Sequence, residues 1–135
     1  MSNGNKKILA AVISMLIVAM AGILYVVFAP NAVNGSKAIN VIVVDDKGKE
    51  TVYKTRTDAE YLREALEEMK DLKIEGTEGE FGLYVNTVNG VKADYETDKT
   101  YWSFFLGDKQ CNYSIDEQPI KDGDTFYIKY INSKQ

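Results

Sequence analysis

The sequence contains no histidine and a single cysteine, Cys111. Without histidine the chain lacks the commonest general base, and no Ser-His or Cys-His nucleophile can be assembled. The commonest metal ligand goes with it. One cysteine excludes an intramolecular disulfide and leaves no thiolate set for zinc. Only Lys109 stands close enough in sequence to depress the Cys111 pKa, so an inert thiol is the plainer reading. Acidic residues are absent before Asp45, whereas Lys6 and Lys7 lie near the start. After residue 30 the chain carries 14 basic and 20 acidic side chains. That balance argues against nucleic acid, whose binders carry a basic stripe. Together these absences predict a protein that is not an enzyme and has no metal site or resident cofactor.

What is present begins with a long uncharged run. Ile8 to Ala29 is 22 residues without a charge. As a helix it reaches about 33 Å, enough for the hydrocarbon core of a bilayer. Lys6-Lys7 on its short side predict residues 1–7 as a cytoplasmic tail and the remainder outside, a single-pass membrane protein. The small-residue pattern Ala19-Met20-Ala21 before Gly22 offers a signal-peptidase site. An uncleaved signal anchor accounts better for the full length of the run. Residues 30–37 read as a linker and 38–131 as one small domain. Residues 132–135 are a tail.

Within the domain, Tyr101-Trp102-Ser103-Phe104-Phe105-Leu106 is nearly continuously apolar. It reads as a central strand covered on both faces. Phe126–Ile131 is its expected partner. Ile39–Val44 and Thr51–Arg56 read as a hairpin around Asp45-Asp46-Lys47-Gly48. The two aspartates lack calcium-loop spacing and read as a solvated turn. Thr57-Asp58-Ala59-Glu60 fits a capping box. Leu62, Ala65, Leu66 and Met69 then form the apolar stripe of a helix ending near Asp71. Gly76 and Gly79 mark a loop, Phe81–Val88 a strand turned by Asn89-Gly90, and 91–100 a polar connection. Thr125–Ile131 closes the chain. The order β-β-α-β-β-β, with one helix on one face of a mixed sheet, predicts an α+β domain of β-grasp character.

Three segments carry a family resemblance. They are Phe81-Gly82-Leu83-Tyr84-Val85-Asn86-Thr87-Val88-Asn89-Gly90, Tyr101-Trp102-Ser103-Phe104-Phe105, and Ile115-Asp116 through Pro119-Ile120-Lys121-Asp122-Gly123-Asp124-Thr125. In order and spacing they resemble the C-terminal domain of transcobalamin and intrinsic factor. That domain also occurs in bacterial surface proteins as a domain of unknown function. The resemblance implies one half of a corrinoid clamp, with cobalamin as the model ligand. A second protein would complete the clamp, because no helical barrel is encoded here. It implies a ligand face on Asn86, Thr87, Asn89 and Gly90, and on Tyr101, Trp102 and Phe104. The family's Val-Asn-Gly after the aromatic strand is replaced by Leu106-Gly107-Asp108.

Tyr113 lies in the Gly107–Gln118 loop and reads as an exposed contact residue. Trp102 and Phe104 could form an apolar platform with Tyr84, although core packing is the plainer reading for both. Asp122 and Asp124 flank Gly123 as turn formers. The functional expectation is a membrane-anchored extracytoplasmic binding module for a corrinoid or other small ligand, acting with a partner. The alternative is a structural or adhesive cell-surface module without a small ligand.

Overall fold

The computed structural model describes residues 24–28 and 35–134. The 1–7 tail, most of the Ile8–Ala29 run and residues 30–34 of the linker lie outside the described residues. Leu24–Phe28, expected as the end of the membrane helix, instead forms strand β1. It pairs in parallel with Glu50–Lys54. Leu-Tyr-Val-Val-Phe is strand-favouring, and pairing covers backbone groups that an open edge would leave unpaired. Among the described residues no helix is long and apolar enough to cross a membrane.

The expected hairpin is β2 (Lys37–Val44) and β3 (Glu50–Thr57). Its turn is closed by Asp45, whose Oδ1 accepts from the Lys47 and Lys49 amides, both at 2.9 Å. Helix α1 (Leu62–Glu68) follows, then β4 (Ile74–Gly79), β5 (Gly82–Val88) and β6 (Val91–Lys92). The short helix α2 (Tyr95–Asp98) leads into β7 (Thr100–Leu106), β8 (Lys109–Gln110) and β9 (Thr125–Asn132). The main sheet has the order β1-β3-β2-β9-β7-β8, and β4-β5-β6 form a second, three-stranded sheet.

The α+β class and the mixed main sheet agree with the sequence reading, because β2 runs parallel to β9 and antiparallel to β3. Several details differ: Gly76 and Gly79, read as a loop, lie in β4; the 91–100 connection holds β6 and α2; and α1 ends at Glu68 rather than near Asp71. The single sheet expected is two sheets. Strand β7 pairs with β9 as expected but is not central; its other neighbour is only the two-residue β8. The helix starts at Leu62 rather than after Thr57. Thr57 ends β3, and its hydroxyl accepts from the Ala59 amide at 2.9 Å while donating to the Glu68 carboxylate at 2.6 Å. The hydroxyl thus serves a local turn and the far end of the helix, so it cannot cap the first turn.

Leu62, Ala65, Leu66 and Met69 are all buried, as their spacing predicts. They pack with Ile39, Val41 and Val43 of β2 and with Phe126 and Ile128 of β9. A helix of seven residues is marginal alone, so this apolar face holds it in place. Burying each of Leu62, Leu66 and Met69 contributes about 1.5–3 kcal/mol.

Arg63, on the other side of α1, joins the layers. Its guanidinium donates to Glu67 and Asp116, each at 2.7 Å, and to Glu78 of β4. Asp116 Oδ1 also accepts from the Leu83 amide at 2.8 Å. Partial burial pushes the Asp116 carboxyl up, but the Leu83 amide and Arg63 outweigh it and hold it below the usual carboxylate range. Gly82 lies beneath, with φ +114°, and a Cβ there would collide with the Asp116 side chain.

Two outcomes follow. The stabilisation from Asp116 is complete above the unfolded carboxyl pKa of about 4 and disappears as pH falls through its lower folded value. Urea midpoints at pH 7 and pH 3 should therefore differ less in Asp116→Asn than in the parent, the variant being weaker at pH 7. Gly82→Ala should cost about 1–3 kcal/mol from backbone strain alone. An unchanged midpoint in that variant would mean that the clamp tolerates a side chain.

Candidate functional site

The three-stranded sheet and the start of β7 border a cleft of about 450 Å³, open to solvent. Tyr84 and Asn86 stand two residues apart on β5 and so share a face. Thr77 of β4 lies opposite Tyr84. These three form one wall. The other wall comes from Asp94, Tyr95, Glu96, Thr100 and Tyr101, with Val85 and Ala93 lining the cleft and Lys92 contributing an ammonium group.

The second wall is held by a local knot. Asp94 caps α2, its side chain accepting from the Thr97 amide at 3.2 Å. That bond holds the Asp94 carboxyl below the usual range, with smaller help from Lys92, and its charge persists at neutral pH. Thr100 Oγ1 accepts from the Asp94 amide at 2.9 Å. Lys99 adopts a left-handed conformation, φ 57°, and its amide donates back to the Tyr95 carbonyl. The closed loop projects Tyr95 outward, and it is 52% exposed. Its ring meets that of Tyr101 edge to face, centroids 6.2 Å apart. Tyr84 opposite is 61% exposed. Three phenol rings, a side-chain amide and two carboxylates thus converge on one small opening.

The residues expected on a ligand face are distributed among several environments. Asn86 and Tyr101 line the cleft. Thr87 donates its hydroxyl to Asn86 Oδ1 at 2.8 Å. Asn89 has φ 50° and locks its turn: Oδ1 accepts from the Lys73 amide at 3.0 Å, and Nδ2 donates to the buried Tyr53 hydroxyl at 2.9 Å. Gly90 completes that turn with φ 82°. Trp102 is buried, donating Nε1–H to the Val91 carbonyl at 3.0 Å and packing edge to face on Tyr130. Phe104 packs half-buried against the core. Tyr113 is exposed and does not line this cleft; its neighbour in sequence, Ser114, donates its hydroxyl to the Phe81 carbonyl.

Burial raises the Cys111 thiol pKa, with help from Asp124, in keeping with an inert group. Among the described residues no group of three His, Cys, Asp or Glu could hold a metal ion. Tyr95, Asp94 and Glu96 were not singled out in the sequence. The available signal was the Asp94-x-x-Thr97 spacing, a helix-cap pattern inside a stretch read as a plain connection.

Residues 60–132 match a family model described as a domain of unknown function, DUF4430. No curated protein matches. Among solved structures, one from Ruminococcus gnavus ATCC 29149, named "putative metal binding protein", is 35% identical with a TM-score of 0.65. The match covers 72% of this chain and 98% of that one. Haptocorrin in complex with Cbi is 19% identical with a TM-score of 0.55. That match covers 71% of this chain and 25% of haptocorrin, so the chain spans about a quarter of that protein. The haptocorrin match bears out the transcobalamin-like resemblance at the level of the fold.

The Asn89 lock gives a separable outcome. Tyr53→Phe removes the hydroxyl and the bond to the exposed Asn89 amide, whose donor water can then satisfy, at a cost of about 0.5–1.5 kcal/mol. Urea denaturation should show the loss. The amide shifts of Tyr84 and Tyr95 across the cleft should stay in place, and their movement would join turn and cleft into one unit.

Proposed function

We propose, on the premise that this chain belongs to the DUF4430 family, that it is a non-enzymatic extracytoplasmic binding module. The uncharged run upstream of β1 holds it at the outer face of a membrane. Its ligand is a corrinoid or another small molecule, gripped jointly with a second protein. The observation that carries this reading is the cleft, which brings together Asn86 of β5 and Tyr101 of β7. Its volume falls within the range of small-molecule sites, and its lining mixes ring faces with a few convergent polar groups. It is open on one side, whereas such sites bury most of their ligand. A corrinoid is larger than the opening, so only one edge of it would enter here. The partner would cover the rest.

A structural or adhesive role remains as a second reading, and one observation favours it. Phe81 is 68% exposed and Tyr113 59% exposed, and neither lines the cleft. Exposed aromatic residues of this kind are enriched at protein contacts.

The test uses the full chain in lipid nanodiscs. Cyanocobalamin and cobinamide are titrated while the amide resonances of Tyr84, Asn86 and Tyr101 are followed. The expected result is saturable movement of those three, weakened at least about tenfold, 1.4 kcal/mol, by Tyr101→Ala. Silence at millimolar ligand counts against the corrinoid. Protease added to intact cells should digest the domain, and its survival would remove the extracytoplasmic placement.

A further inference from the structure

The ring geometry of the cleft, resting on the reading of it as a ligand site, narrows what enters. Tyr95 and Tyr101 meet with their planes at 66°, forming a corner. Tyr84 lines the same opening and is largely exposed. The π-faces of such rings carry partial negative charge and attract cations, most strongly where several converge. The fold already supplies one example. The Lys99 ammonium lies 5.0 Å from the centroid of the Tyr95 ring. Two carboxylates, Asp94 and Glu96, stand against one ammonium, Lys92, among the lining residues. With Lys99 on the Tyr95 ring the local charges balance, and an opening freed of that ammonium is net negative as well as aromatic.

We propose that this cleft binds a small organic cation, an ammonium group carrying an apolar body, seated between Tyr84, Tyr95 and Tyr101 and drawn in by Asp94 and Glu96. The carboxylates set the sign of the charge. The rings favour an alkylated, weakly hydrated ammonium over a compact metal cation. Lys99 competes for one ring face, so its removal improves the site for a cation and leaves a neutral guest indifferent.

Choline and its uncharged isostere 3,3-dimethylbutan-1-ol provide the probe pair. The full chain in nanodiscs is titrated with each while the ring resonances of Tyr84, Tyr95 and Tyr101 are followed. Choline should shift all three and bind at least tenfold more tightly than the alcohol. Asp94→Asn with Glu96→Gln should erase most of that preference. Asparagine caps a helix as well as aspartate does, so the loop keeps its form while the charge is lost. Lys99→Ala should strengthen choline severalfold and leave the alcohol unchanged.

Equal affinity for the two probes, or a preference that survives removal of both carboxylates, overturns the inference. So does silence towards choline when a corrinoid or a neutral saccharide moves the same rings, and in that case the binding-module reading survives. Silence towards every probe removes both.

Discussion

Parallel pairing of the first long strand with the last is the constraint on which the rest of the domain depends. Asn40 to Val44 run alongside Thr125 to Lys129. The turn before β9 is stitched to the start of β2: Gly123 donates to the Ala38 carbonyl, and Ala38 donates to Asp122 Oδ1, both at 2.7 Å. Parallel neighbours cannot be joined by a tight turn, so the chain between them must leave the sheet and return. The intervening segments supply that crossover. The apolar side chains of β2 and β9 that face it, Val41, Val43, Phe126 and Ile128, are closed over by α1.

Where the second sheet sits follows from a charge arrangement. Exposed ion pairs taken singly are worth little. Arg63 differs because one guanidinium meets carboxylates from its own helix, from β4 and from the loop before β9. Asp116 then fixes the first residues of β5 through the Leu83 amide. Strand β5 carries Tyr84 and Asn86, so a cluster outside the cleft lining, bonded to the residues next to Thr77 and Tyr84, supports one of its walls. Beyond the turn at the other end of β5, Asn89 binds Tyr53 of the main sheet. Strand β5 is thus tied at its start to the Arg63 cluster, and its closing turn is tied to the main sheet.

The elements that the sequence made legible are those whose pattern is dictated by a single buried face. The α1 stripe, the alternation in β2 and β3, and the aromatic run of β7 all record contact with one core. Strand β4 was hidden because Ile-Glu-Gly-Thr-Glu-Gly is exposed after its first residue and carries two glycines. Nothing in it alternates. Gly76 is required there for another reason, because a Cβ would meet the Tyr84 carbonyl. Thr57 misled because its hydroxyl had a tertiary use that local spacing does not register. The cleft was half visible: the resemblance pointed to Asn86 and Tyr101. It also pointed to Trp102, but side chains alternate along a strand, and the neighbour of an outward Tyr101 must turn inward. Tyr95 joins the site only through the fold of a four-residue helix, which no periodicity reports.

The seating of Leu24–Phe28 on the edge of β3 has an implication for height above a bilayer. Those five residues are drawn from the same uncharged run that would cross it, which leaves Ile8 to Ile23, 16 residues, upstream. Wound as a helix, that remainder measures about 24 Å, against about 30 Å of hydrocarbon. One stretch of chain is thus claimed by two hosts. On the proposed membrane placement, the edge of β3 is covered only while these five residues stay out of the hydrocarbon.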